Sequence, residues 1–249
     1  MSEPYPFESD DEDEIGELDL EDLDQFAEAR ITVGQLVGEN ESWRFGHVII
    51  DEAQDLTPMQ WRMIMRRVRG KSLTIVGDLA QRTTGAPGRW SDHLPPELAD
   101  VAQLDLTINY RSPIEIHELA VATLREFAPG IAPSRAIRTV GIDPAFAPVA
   151  SMHDELAAIV DQMTTEVPGQ VAVLATSLDG LGLDTEDPRL RILTPAQAKG
   201  LEFDAVVLVE PADVLASAGG PALLYIALTR ATQRLVMVHE RPLPAVLTP

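Results

Sequence analysis

Apolar residues follow two rhythms along this chain. Short, nearly unbroken apolar runs appear at His47–Ile50, Leu73–Val76, Val101–Leu106, Val171–Ala175, Arg191–Leu193, Ala205–Val209 and Arg234–His239. Runs of that length read as strands buried on both faces, as in a parallel sheet. Between them the period changes. Trp61, Ile64, Met65 and Val68 recur at i, i+3, i+4 and i+7, with Arg62, Arg66 and Arg69 on the opposite face. That spacing predicts a helix, capped by Thr57, opened by Pro58 and stopped by Gly70. Further helices are predicted from Pro113 to Phe127, from about Asp154 to Thr165 and from Leu223 to Thr232. Residues 128–170 are rich in Pro and Gly and predict loops and a hairpin pairing Ala136–Val140 with Phe146–Ala150. Alternating apolar strands and helices place the chain in the α/β class, with a parallel sheet covered by helices.

Composition narrows the setting. The 249 residues are 45% hydrophobic, enough for a substantial core, and contain no cysteine. A disulfide framework and thiolate metal sites are therefore excluded, and a reducing compartment fits. No apolar run approaches the ~18 residues of a membrane span, and the N-terminus lacks a basic-then-apolar leader, so a cytoplasmic, non-membrane protein is expected. Net charge is −21, unevenly spread. Residues 1–30 hold 13 acids and one base, hence −12, which leaves −9 for the rest. This predicts a solvated acidic tail, with a weak amphipathic helix through Leu18, Leu20, Leu23 and Phe26. Such a balance disfavours independent tight binding to nucleic acid and suits docking on a basic protein surface.

The chemistry sits where strands end. Residues 47–55, HVIIDEAQD, are an apolar strand delivering Asp51 and Glu52 at its C-terminal end. This arrangement serves a nucleotide-hydrolysing site, with one acid on Mg²⁺ and the other orienting water. It also serves a strand followed by a capped helix, where acids are favoured anyway. Gln54 and Asp55 are placed to link the site to neighbouring strands. A second strand, LTIVGDLAQ, ends in Asp78 and Gln81, and two adjacent strands with polar C-terminal ends point to one crevice. LTINYRSP sets Tyr110, able to stack on a base, beside Arg111, able to fork onto phosphate. ILTPAQAKGLEFD contributes Lys199, Gly200 and Glu202, and LYIALTRA puts Thr229 and Arg230 on a helix.

The ordered set DEAQD, GDLAQ, NYRS, KGLEFD and ALTRA resembles motifs II to VI of superfamily 1 helicases of the UvrD/Rep type, from about Phe45 to His239. The resemblance implies RecA-like parallel sheets: a partial first lobe plus a complete second lobe, with ATP and Mg²⁺ between them. It implies Asp51 as the metal ligand and Glu52 as the catalytic base. Gln81 would sense the γ-phosphate, Tyr110 would stack near adenine, and Arg111 and Arg230 would reach the γ-phosphate. Glu202 would be a nucleotide-contacting, coupling carboxylate. The wording DLTPMQWRM and LYIALTRATQRL is most similar to HelD, the helicase-like factor that binds RNA polymerase. Only about 80 residues separate NYRSP from ILTPAQAKG, too few for the large subdomain inserted in UvrD-type unwinding enzymes. RNA polymerase and, in a complete protein, single-stranded DNA are thus the implied partners.

One part of the machine is missing from the sequence. A phosphate loop reads G-x-x-x-x-G-K-[ST]. Gly70-Lys71-Ser72 offers its end, but Met65 stands where the first glycine belongs, and the context runs helix to strand rather than strand to helix. The expected organisation is an acidic tail over 1–40, a partial first lobe over 41–108 and a second lobe over 109–249. Without a P-loop segment the chain alone is not expected to turn over ATP. Two alternatives stand beside a C-terminal portion of a HelD-like ATPase: a catalytically dead module docking on RNA polymerase, and a fragment of a DNA-repair helicase.

Overall fold

The computed structural model describes residues 44–85, 87–183 and 186–248. The candidate helix through Leu18, Leu20, Leu23 and Phe26 lies outside them. The first strand, β1 (Val48–Ile50), pairs in parallel with β2 (Leu73–Ile75), Val48 opposite Leu73 and Ile50 opposite Ile75. Helix α1 (Pro58–Arg67) connects them. Thr57 caps it as predicted: its side chain accepts from Gln60 N, while Gln60 Oε1 accepts from Thr57 N at 2.8 Å, a reciprocal box that satisfies two otherwise orphaned donors. The helix ends at Arg67, before Gly70, because Val68 turns extended and bridges to Phe45, whose N–H donates to Arg67 O at 2.8 Å. Trp61 is buried with Ile50, Ala53 and Leu98 against one face of the β1–β2 pair. On the other face Ile49 is 70% and Val76 44% exposed, so among the described residues this small parallel sheet is covered on one side only.

The predicted strand over Val101–Leu106 does not form. Leu104 and Leu106 are exposed, and regular pairing begins only at β3 (Ile108–Asn109), parallel to β4 (Arg135–Ala136). The predicted hairpin is likewise absent. Its first arm begins in β4, which pairs with β3, and its second coincides with β5 (Ala145–Pro148), which pairs in parallel with the last strand, β9 (Ala231–His239). Each arm found a partner distant in sequence, an outcome that local turn signals cannot report.

The main sheet has five strands, all parallel, in the order β5-β9-β8-β6-β7, where β6 is Val171–Leu174, β7 is Leu190–Leu193 and β8 is Phe203–Val209. Alternate residues go to opposite faces. Ala172, Leu174, Val206, Leu208, Leu235 and Met237 pack with Ile116, Ala120 and Leu124 of α2 (Ile114–Phe127) and with Leu224 and Leu228 of α5 (Gly220–Thr229). Val171, Val173, Ala205, Val207, Val236 and Val238 pack with Leu156, Val160 and Met163 of α3 (Met152–Glu166). This two-sided burial explains why these strands read as continuous apolar runs, and it is the RecA-like α/β arrangement expected. The short α4 (Pro211–Ala216) was not predicted, and α5 starts at Gly220 rather than Leu223 and ends at Thr229 rather than Thr232. The corner between them needs glycine: a β-carbon on Gly220 would overlap the carbonyl oxygen of Leu215. Among the described residues no helix is long and apolar enough to cross a membrane.

Candidate functional site

At the end of β1 the backbone turns sharply. Glu52 sits in the left-handed region (φ 51°, ψ 35°), one of two non-glycine residues with positive φ among those described. A residue with a β-carbon takes up that conformation only when its surroundings demand it. Here Glu52 N donates to Asp51 Oδ1 at 2.8 Å, and Ala53 N donates to Val76 O at 3.1 Å, stitching the turn to the end of β2. Ala53–Asp55 then form a 3₁₀ turn. Gln54 is fully buried and makes the predicted link. Its Nε2 donates to Glu52 Oε2 at 2.7 Å, and its Oε1 accepts from Asp78 N at 3.2 Å. Its carbonyl accepts from Arg82. Gly77 makes this possible, since a β-carbon there would overlap Gln54 Oε1.

Asp78 caps the turn Leu79–Gln81, accepting from Ala80 N at 2.9 Å and from Gln81 Nε2 at 2.9 Å. That turn packs against α5 through buried Ala80, which brings Gln81 to the end of the helix that carries Arg230. Arg230 is 2% exposed. Its Nη1 donates to Leu201 O at 2.9 Å, its Nη2 to Thr229 Oγ1 at 3.1 Å and, more weakly, to Gln81 Oε1 at 3.4 Å. Burial pushes its pKa down, as does nearby Arg111, while Glu52, Tyr225 and Asp78 oppose the shift. A guanidinium keeps its charge under such conditions, so Arg230 is a desolvated cation that a phosphate would relieve.

The loop after β7 adds two groups. Lys199 Nζ pairs with Asp55 Oδ2, donates to Gln81 O at 3.1 Å and lies 3.5 Å from Glu52 Oε2. Glu202 Oε2 meets Arg111 Nε at 2.5 Å. Arg111 and Glu202 line a cavity of about 470 Å³ together with Tyr110, Arg138, Val140, Thr232 and Gln233. The Tyr110 side of this cavity is open, the residue being 75% exposed.

Asp51, Glu52, Gln81 and Arg230 thus belong to one network, and Tyr110, Arg111 and Glu202 to an adjoining cavity. The peptide Leu201-Glu202 joins the two, one residue bonded to Arg230 and the next to Arg111. Sequence reasoning gave no role to Lys199, although it lies inside a recognised motif. It missed Arg138 altogether. Arg138 Nε donates to Tyr110 O at 3.2 Å and its Nη2 reaches Arg111 O and Thr232 O, clamping the cavity wall. No spacing marks it, because its acceptors are all backbone carbonyls. Asn109 completes the wall. Its Oδ1 accepts from Arg111 N at 2.9 Å and Ser112 N at 3.1 Å, and its Nδ2 meets His117 Nδ1 at 3.2 Å. Because His117 Nε2 faces the carbonyl of Ser134 at 2.8 Å, the proton belongs on Nε2 and Nδ1 is the acceptor.

Among the described residues no group of three or more His, Asp or Glu side chains is gathered to hold a metal unaided. A hydrated Mg²⁺ asks for less, typically one or two carboxylates with water and phosphate oxygens. Asp51 is exposed with only its Oδ1 engaged, and Asp55 Oδ1 is buried without a donor. The donor set fits that mode of binding.

Residues 9–83 match the UvrD/REP helicase N-terminal domain and residues 189–238 the UvrD-like helicase C-terminal domain. The ATP-dependent DNA helicase UvrD2 of Mycobacterium tuberculosis is 28% identical over 165 residues, 65% of this chain but 22% of the relative. The chain therefore aligns with about a fifth of the length of that protein. Among solved structures, the C-terminal domain of a possible DNA helicase from Lactobacillus plantarum superposes with a TM-score of 0.42 at 20% identity, covering 56% of this chain and 92% of that one. Arterivirus nonstructural protein 10, a helicase, gives 0.47 at 17%, covering 79% and 40%.

Proposed function

We propose that this chain, which matches UvrD-type helicase domains over residues 9–83 and 189–238, forms part of an ATP-driven translocase whose nucleotide lies between the end of β1–β2 and the face carrying Arg111 and Arg230. The observation that carries this reading is Arg230. It is a buried cation joined to Gln81 of the turn after β2 and, through Leu201-Glu202, to Arg111. In this reading Tyr110 stacks on the base, Glu202 holds the nucleotide, and Arg111 and Arg230 stabilise charge on the terminal phosphate. Asp51 holds Mg²⁺, which supplies charge neutralisation on the phosphates, and Glu52 orients and deprotonates water. Arg111 and Arg230 both have protein partners already, so phosphate binding exchanges Glu202 and Gln81 for phosphate oxygens. That exchange would couple nucleotide state to the seating of one sheet against the other.

The finer assignment is a HelD-type factor acting in the cytoplasm on RNA polymerase or its nucleic acid, supported by the motif wording, the short interval between NYRSP and ILTPAQAKG, and the acidic charge. The alternative reading, a DNA-repair helicase, draws support from the UvrD2 relatives only as far as their being ATP-dependent DNA helicases. With no G-x-x-x-x-G-K-[ST] in this sequence, hydrolysis requires a P-loop segment from elsewhere. ATPase assays of the chain alone and with a P-loop-bearing helicase segment test this. A Mg²⁺-dependent rate appearing only in the mixture, and lost in Glu52→Gln, is expected. A Glu52-dependent rate from the chain alone would overturn the requirement, and no rate in any mixture would overturn the ATPase assignment. Purified RNA polymerase against single-stranded DNA, each as a binding partner, separates the two finer readings.

A further inference from the structure

Residues 101–107 run into β3 without a turn or a bend, and all of them are exposed. Regular pairing with β4 starts only at Ile108, where Arg135 N donates to Thr107 O at 2.8 Å. Among the described residues no backbone N–H or carbonyl of residues 101–106 has a hydrogen-bond partner. Leu104 is 91% and Leu106 87% exposed, the highest values among the large apolar side chains. We propose that residues 101–108 are a vacant edge strand, which takes up an extended, alternately apolar and basic segment of a partner protein by adding it to β3.

The backbone sets the edge. Arg135 N and Ile137 N donate to Thr107 O and Asn109 O, so the odd-numbered carbonyls face β4. Strand alternation turns the N–H and carbonyl groups of Leu104 and Leu106 to the opposite edge, where a further strand can pair. The side chains set the apolar half of the partner. In an extended strand Leu104, Leu106 and Ile108 share one face, and exposed Ile137, two residues past the partner of Ile108, lies on the same face. An unpaired strand with adjacent exposed leucines is a template for pairing. Charge sets the other half. Between Arg89 and Arg111 stand Asp92, Glu97, Asp100 and Asp105, with no lysine or arginine. Asp105 accepts from Gln103 Nε2 at 2.8 Å, and neither it nor Asp100 has a cationic partner among the described residues. A basic residue opposite Asp105 would supply one. A second copy of this chain is disfavoured as the occupant, because it would set a net charge of −21 against −21.

The intact chain is titrated by calorimetry with a synthetic peptide of about eight residues alternating valine and lysine. Two control peptides run beside it, one with glutamate for lysine and one N-methylated at the amides of its pairing edge. The basic peptide should bind with a dissociation constant on the order of 100 μM, and each control at least about tenfold more weakly. Amide hydrogen exchange at Leu104 and Leu106, fast in the free chain, should slow about tenfold in the complex. Leu104→Ser/Leu106→Ser alters exposed side chains only, so it should melt with the parent and lose the peptide. No binding of the basic peptide, equal affinity for the acidic or N-methylated peptide, or full binding by the double variant overturns the proposal. Slow exchange at Leu104 and Leu106 in the free chain also overturns it, since the edge would then be filled already. Sedimentation of the chain alone as a concentration-dependent dimer, abolished in the double variant, would give the edge to a second copy and overturn the basic partner.

Discussion

The left-handed backbone at Glu52 makes a prediction whose sign is unusual. Consider Glu52→Gly beside Glu52→Ala. Both lose the contact with Gln54 at 2.7 Å and the approach of Lys199 at 3.5 Å, so these terms cancel in the comparison. What remains is the backbone. At φ 51° alanine keeps a β-carbon that crowds the following carbonyl, at about 1–2 kcal/mol, while glycine does not. Glycine gives back about 0.5–1 kcal/mol through the greater freedom of its unfolded chain. The balance favours Glu52→Gly by roughly 0.5–1 kcal/mol, whereas at an ordinary position alanine would lead by a similar amount. For a chain of this size that is a difference of about 1–4 °C in melting temperature. Calorimetric or circular dichroism melts of the two variants, with urea titrations as a check, decide the matter. Alanine equal to or above glycine would refute the claim that the turn is held in a strained conformation.

Two further outcomes follow from the same geometry. Gly77→Ala should destabilise by about 1–3 kcal/mol in urea titration, because the added methyl overlaps Gln54 Oε1 and drives that amide off Asp78 N. Glu115 has its carboxyl held down at about 2, first by the Thr139 hydroxyl and also by the Gly141 N–H at 2.8 Å. Its pKa is lower in the folded than in the unfolded chain, so its contribution is complete above the ordinary value of 4.5 and fades as pH falls toward 2. Melting temperature should therefore fall less steeply across that window in Glu115→Gln, and parallel curves would contradict the assignment.

How far the sequence could be read depended on whether a signal was local. The strands of the main sheet announced themselves because both faces are buried, which leaves an unbroken apolar run rather than an apolar–polar alternation; Ala205, Val206, Val207 and Leu208 are all fully buried. Thr57 and Pro58 marked the start of α1 because capping is a matter of adjacent residues. What failed was non-local. Val101–Leu106 has the apolar content of a strand but no neighbour to pair with among the described residues, and the arms of the expected hairpin went to β3 and β9. In the site, residues from separate motifs lie together, Arg111 on Glu202 and Arg230 beside Gln81. The contacts of Lys199 and Arg138 were invisible for a different reason. Their importance lies in which distant oxygen each one reaches, Asp55 and Gln81 for the first, Tyr110, Arg111 and Thr232 for the second.

The central claim is that one crevice, built from both sheets, receives a nucleoside triphosphate through its two arginines. It is tested most directly by titrating the chain with Mg²⁺ and a non-hydrolysable ATP analogue, followed by nuclear magnetic resonance, beside the double variant Arg111→Met/Arg230→Met. Lacking a phosphate loop, the parent should bind weakly, with a dissociation constant on the order of 1 mM or about −4 kcal/mol. Shifts should centre on Tyr110, Gln81 and Glu202, and the double variant should lose them. Equal affinity in the double variant, or shifts confined to other surfaces, would contradict the account.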